Sequence, residues 1–83
     1  MSQVIVPNGW RHENNALCRE FTFTNFAEAF AFMTSVAQMA EAVDHHPDWS
    51  NSYNTVAIAL TSHDKGRVTQ RDSSLAEQIN TLV

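Results

Sequence analysis

"FTFTNFAEAFAFMTSVAQMAEAV", residues 21–43, decides how this chain folds, because its apolar period changes part-way along. Up to Phe23 the rhythm is two residues. Leu17, Arg19, Phe21 and Phe23 alternate with Cys18, Glu20 and Thr22. Apart from Arg19, one face of that alternation is apolar, as a half-buried strand requires. At Asn25 the rhythm lengthens. Asn25 is a good helix cap, and Glu28 stands three residues on, where a capping arrangement needs it. Phe26, Phe30, Met33, Ala37 and Ala40 then share one helical face, while Phe32, Val36, Met39 and Val43 make a second stripe at the same spacing. The helix is expected to run to about Val43. One stripe can face a sheet, and the other calls for cover by a second helix of the chain or by a second subunit.

Working outward, "PNG" at 7–9 is a turn signal, and "WRHENNALCREFTFT" (10–24) reads as two strands meeting around Asn14 and Asn15. Beyond the helix, Pro47 blocks any continuation. "WSNSYNTVAIALTSH" (49–63) reads as two more strands turning near Tyr53 to Thr55. In the second of them Val56, Ile58 and Leu60 point one way, and Ala57, Ala59 and Thr61 the other. "HDKGR" is a turn with Gly66 available for positive φ. Thr69 and Asp72 have the spacing of a capping box, and Leu75, Ile79 and Leu82 form the apolar line of a last helix. The order β-β-α-β-β-α predicts a single α+β domain over residues 1–83. It is a four-stranded antiparallel sheet with helices packed on one face.

The bulk numbers narrow the function. Eighty-three residues with 43% hydrophobic and 17% charged side chains suit a packed domain near the lower size limit for independent folding. A net charge of -4, with only five scattered basic residues, argues against direct nucleic-acid binding. One cysteine, Cys18, allows no internal disulfide and suggests a reducing compartment. The opening "MSQVIVPNGW" lacks the features of a signal peptide, and no run approaches a membrane span, so a cytoplasmic protein without membrane contact is expected.

The chemistry points to "DHHPDW", residues 44–49, which holds two of the four histidines. Imidazole is the side chain whose ordinary pKa lies closest to neutrality, so it can both give and take protons. Pro47 pushes its predecessor toward extended geometry, which sends His45 and His46 to different sides of the backbone. One can face a ligand while the other orients it or packs. The plain alternative is that both merely cap the helix's last carbonyls. His63 ends a strand after Thr61 and Ser62, where side chains often reach a cleft at a sheet edge. His45, His46 and His63 could be three metal ligands, but structural zinc sites draw on cysteines or a histidine pair at i, i+4, and neither is present. "TSHD" contains the residue types of a nucleophilic triad without a nucleophile elbow around the serine. Asp72 reads as a helix cap rather than a base, and His12 as a surface polar residue.

The run "EAVDHHPDWSNSYN", followed by "LTSHD" and "TQRD", resembles the pterin-4a-carbinolamine dehydratases. The matching positions are Glu41, His45, His46, Pro47, Tyr53, His63 and Asp72. "GW" at 9–10 and the long helix are similar as well, so the resemblance runs from Pro7 onward. It implies removal of water from a 4a-hydroxytetrahydropterin to give quinonoid dihydropterin, with no metal and no organic cofactor. It also implies that His45 and His63 are the acid–base pair on two sides of the pterin, with His46 binding and orienting the ring. Pro47 would shape the loop, Ser62 and Asp64 would line the pocket, and Trp10 would wall it. Glu41, one helical turn before His45, would orient that histidine or meet the pterin edge; the bland reading is a solvated helix acid. Relatives commonly carry a further helix ahead of the "GW" strand, and this chain is expected to lack it. The same fold also serves as a dimerisation partner of a transcription factor, so a binding module and a non-catalytic pterin-binding relative are the rival readings. A homodimer or homotetramer through the long helix and a sheet edge is expected, and a charge at Val36 or Met39 should disrupt a role that depends on that helix.

Overall fold

A computed structural model describes residues 4–83. The elements follow the expected order: β1 (Arg11–Glu13), β2 (Ala16–Thr22), α1 (Phe26–Val43), β3 (Asp48–Ser52), β4 (Thr55–Leu60) and α2 (Gln70–Asn80). The four strands form one antiparallel sheet in the order β1-β2-β4-β3. Among the described residues, none ahead of Arg11 is helical.

Two-residue loops close both hairpins. Asn14 and Asn15 both take positive φ (49° and 64°), the geometry that lets a two-residue turn follow the natural twist of its strands. Asparagine tolerates that region better than most residues. At the second hairpin Tyr53 has φ 52°, and Asn54 Nδ2 donates to the Phe23 carbonyl at 2.8 Å, tying the turn to the end of β2.

The register puts the period-two residues opposite one another. Leu17 faces Leu60, Arg19 faces Ile58 and Phe21 faces Val56. That side of the sheet meets Ala29, Phe32 and Val36 of α1, and Leu75, Ala76 and Ile79 of α2, in one core. Arg19 is tolerated there because its guanidinium lies 4.6 Å from the Phe21 ring centroid and donates to Asn80 Oδ1 at 2.7 Å. The other side is floored by Cys18, Ala57 and Ala59 and carries no helix among the described residues.

Two sequence expectations are corrected. The α1 surface that enters the core is Ala29, Phe32, Val36 and Ala40, with Met33 and Met39 half-buried. It takes residues from both apolar stripes, because a 3.6-residue repeat drifts across any fixed spacing. Phe26, Phe30 and Ala37 point outward, as does Val43. Val36 is fully buried, so a charge there would unmake the core rather than probe a partner surface. The apolar line of α2 ends at Ile79: the helix stops at Asn80, and Leu82 lies beyond it, partly exposed.

Candidate active site

Asn25 Oδ1 accepts from the Glu28 N–H at 2.9 Å and starts α1. Asp44, in left-handed conformation (φ 52°, ψ 46°), ends it. The reversal lets the His45 N–H bond the Ala40 carbonyl at 3.0 Å and turns the next side chain inward. His45 is buried as a result.

Its partner comes from α2. His45 Nε2 lies 2.5 Å from Asp72 Oδ1. Asp72 is fully buried at the first turn of α2, and its other oxygen accepts from Ser62 Oγ–H and from the Thr69 N–H, each at 2.8 Å. The Thr69 hydroxyl meets Ser62 Oγ at 2.6 Å. One carboxylate therefore joins the end of α1, the segment after β4 and the start of α2. No buried side-chain nitrogen or oxygen among the described residues lacks a partner.

His45 opens onto a cleft of about 250 Å³ between the end of α1 and one face of α2. Val43, Gln70, Arg71, Ser74, Leu75 and Gln78 complete its walls. Arg71 Nη2 donates to Asp64 Oδ1 at 2.5 Å. His46 and His63 lie outside those walls. His46 is exposed, with Nε2 2.8 Å from Glu41 Oε2. His63 is also exposed, with Nε2 3.2 Å from Asp48 Oδ2. Ser62 and His63 thus diverge, Ser62 toward Asp72 beneath the sheet and His63 toward Asp48, whose strand position opposes Ala59 on the open side. His63 binds Asp48 directly and Ser62 reaches His45 through Asp72, so His45, His46 and His63 gather at one end of the sheet, one inward and two outward.

A family model described as pterin 4 alpha carbinolamine dehydratase matches residues 2–82. The chain belongs to that family. A Prochlorococcus marinus (strain NATL2A) relative, provisionally named a pterin-4-alpha-carbinolamine dehydratase, is 53% identical over 74 residues, 89% of this chain and 78% of its own. One from Rhodopseudomonas palustris (strain HaA2), with the same provisional name, is 53% identical over 76 residues, covering 89% and 75%. Among solved structures, a transcriptional coactivator/pterin dehydratase from Brucella melitensis superposes with a TM-score of 0.84 at 39% identity, covering 89% of this chain and 81% of its own. A pterin dehydratase-like protein described as a RuBisCO assembly factor of the alpha-carboxysome shares the fold (TM-score 0.78, 20% identity, 96% and 95% covered).

Within this dehydratase fold, the residues expected at the site divide into groups. His45 and Ser62 meet through Asp72, and Pro47 links His46 to Asp48. Asp64 reaches the cleft only through Arg71. Glu41 pairs with His46 and not with His45, since the left-handed Asp44 swings His45 off the helical face that Glu41 occupies. Trp10 is in the core, edge-on to Phe21 at 5.9 Å, and its indole N–H donates to Asn80 Oδ1 at 2.8 Å. Asn80 is the last residue of α2, about 12 Å along that helix from Asp72, so Trp10 lies at the far end of α2 from the His45–Asp72 pair. The sequence reading missed the α2 face. Gln70, Ser74 and Gln78 repeat every fourth residue with Arg71 beside them, a polar stripe flanking the Leu75–Ile79 line, and that spacing was its signal. No three His, Cys, Asp or Glu side chains among the described residues cluster as a metal site, and no helix among them is long and apolar enough to cross a membrane.

Proposed function

We propose that this protein dehydrates a 4a-hydroxytetrahydropterin to quinonoid dihydropterin, with His45 and His63 as the acid–base pair and His46 orienting the ring. The buried His45–Asp72 pair opening onto a cleft carries the reading. A histidine that serves only as a helix cap needs no buried carboxylate on its ring. Dehydration breaks the C4a–O bond, which requires a proton at the departing oxygen and removal of the N5 proton. A flat heterocycle lying across the end of the sheet would have His45 on its inner side and the exposed His63 on its outer side. Arg71 and Gln70 are donors at the cleft that can meet the carbonyl and ring nitrogens of a pterin.

The test is direct. Purified protein is mixed with freshly generated carbinolamine, and quinonoid dihydropterin is followed in the ultraviolet. His45→Ala and His63→Ala should each lower kcat about 10²- to 10⁴-fold, the usual range for losing a general acid or base. Wild-type protein that gives no acceleration over buffer refutes the dehydratase.

A second reading has an observation of its own. Phe26 and Phe30 are 47% and 56% exposed on the outside of α1, with ring centroids 5.8 Å apart. Such a pair suits a helix-to-helix contact, either between copies of this chain or with a transcription factor. The Brucella melitensis protein of the same fold, a transcriptional coactivator/pterin dehydratase, supports the latter beside the enzyme.

A further inference from the structure

We propose that Asn15, in the β1–β2 turn, is a positioning residue for His63. Its side-chain amide anchors the tip of the 62–67 loop and so fixes where that loop presents the imidazole. The proposal deepens the dehydratase reading and rests on it. His63 is exposed, so packing does not hold it. Its bond to Asp48 spans 3.2 Å between side chains that are 73% and 65% exposed, too well solvated to fix the ring alone. Its place must therefore come from the main chain beneath it. The loop's own hydrogen bonds converge on Ser62: the Lys65 and Gly66 N–H groups donate to its carbonyl, and its N–H donates to the Arg67 carbonyl at 3.1 Å. These bonds set the shape of the loop but not its tilt against the sheet. Asp64 adds a tie to Arg71, again between exposed side chains. One further tie reaches the main chain itself. Asn15 Nδ2 donates to the Gly66 carbonyl at 2.5 Å, across 51 positions of sequence.

The sheet register explains the reach. Leu17 pairs with Leu60 in the antiparallel β2–β4 ladder, so two residues back along β2 Asn15 stands across from Ser62, where the loop begins. A two-residue hairpin turn asks for positive φ, and Asn15 has φ 64°. Glycine, asparagine and aspartate supply that geometry most readily, and of the three only asparagine brings a side-chain N–H. Position 15 thus meets two demands at once, a turn and a donor. Its short side chain stands on a hairpin pinned by the pairing of β1 with β2, so fixing it costs less entropy than fixing a long one. Both turns are exposed, so the bond adds little to global stability. Its effect is local, on the order of the loop that carries His63. A reactive side chain on a loop depends on a rigid scaffold to aim it, and the hairpin is that scaffold here.

Asn15→Gly keeps the turn and deletes the donor, since glycine takes positive φ freely. Asn14→Gly is the control: Asn14 has φ 49° in the same turn, and the change leaves Asn15 in place. Amide nitrogen-15 relaxation of the folded proteins comes first, because it needs no turnover. Asn15→Gly should lower the order of the Lys65, Gly66 and Arg67 amides, and Asn14→Gly should not. Equal order in both variants overturns the proposal whether or not the protein is a dehydratase. Carbinolamine turnover comes second. Asn15→Gly should lower kcat about 10-fold with KM little changed, within the roughly 10²-fold that a misplacement of about 1 Å can cost. In a His63→Ala background the same change should lower kcat no further, because the group it acts through is gone. An equal loss in both backgrounds marks a general structural effect and overturns the proposal. A wild type without turnover overturns the dehydratase reading instead, and the role of Asn15 in the reaction falls with it.

Discussion

Arg71 stands at the mouth of the cleft and also reaches out of it, to Asp64. Its hydrogen bond holds the Asp64 carboxyl below the ordinary aspartate value of 3.8, with the Arg71 charge adding to the effect. The folded-state value is depressed, so the pair favours the folded state above pH 3.8 and loses that contribution as pH falls through the lowered value. Both side chains are about half exposed or more, so water and salt screen the pair and the gain in stability is small. Arg71→Gln should return the Asp64 titration toward 3.8, read by carbon-13 carboxyl shifts, with little change in the denaturation midpoint. An unmoved Asp64 would mean that the pair does not persist in solution. At this scale the sequence is a partial guide. Asp72 reads correctly as a cap of α2, since its carboxylate does bind the Thr69 N–H. Its bond to His45 spans 27 positions and is made by topology, which local spacing cannot express.

The loop from Ser62 to Arg67 carries His63 and Asp64, and its shape depends on one residue. Ser62 and Arg67 form an isolated bridge, and the Lys65 and Gly66 N–H groups bond the Ser62 carbonyl at 3.0 and 2.9 Å. Closing so short a loop needs Gly66 at φ 68°. Asn15, in the β1–β2 turn, donates to the Gly66 carbonyl and fastens the loop from outside. A Cβ at Gly66 would meet nothing within 4 Å, so any penalty for a side chain is conformational rather than steric. Gly66→Ala should destabilise by about 1 kcal/mol, the left-handed strain of an alanine less the entropy it removes from the unfolded chain. Gly66→Asn should lose less, because asparagine visits that region more readily. Urea midpoints give both, and equal losses would shift the cause from φ to something the loop touches. Turns and caps of this kind were legible because Asn-Asn, Gly66, Asn25 and Thr69–Asp72 each carry their own local chemistry. The inward face of α1 was not, since Phe26 and Phe32 are equally apolar and only the position of the sheet separates them.

As a whole molecule, the chain leaves more apolar surface outside than its core explains. The inner side of the sheet is covered by two helices, but α1 turns Phe26, Phe30 and Ala37 toward solvent, and among the described residues β3 ends the sheet with a free edge over Asp48–Ser52. A 9.3 kDa domain gains much by burying such a stripe, since its own core is small relative to its surface. The contact is expected between copies of this chain, α1 against α1, with the free edge offering a second contact of strand against strand. Phe30→Glu is the probe of choice. Position 30 lies outside the core and glutamate is a good helix former, so the fold should survive and the far-ultraviolet circular dichroism should be unchanged. Burying that carboxylate at a helix interface without a partner would be strongly unfavourable. Sedimentation of the wild type at tens of micromolar should give a multiple of 9.3 kDa, and Phe30→Glu should move to a smaller species. Arg11→Ala, on the opposite edge strand, should leave the assembly alone, because its guanidinium is occupied by Glu13 and Glu20 of the same chain. A wild type that sediments as a monomer would leave Phe26 and Phe30 free for a different protein, and the transcription-factor reading would then gain what the homo-oligomer lost.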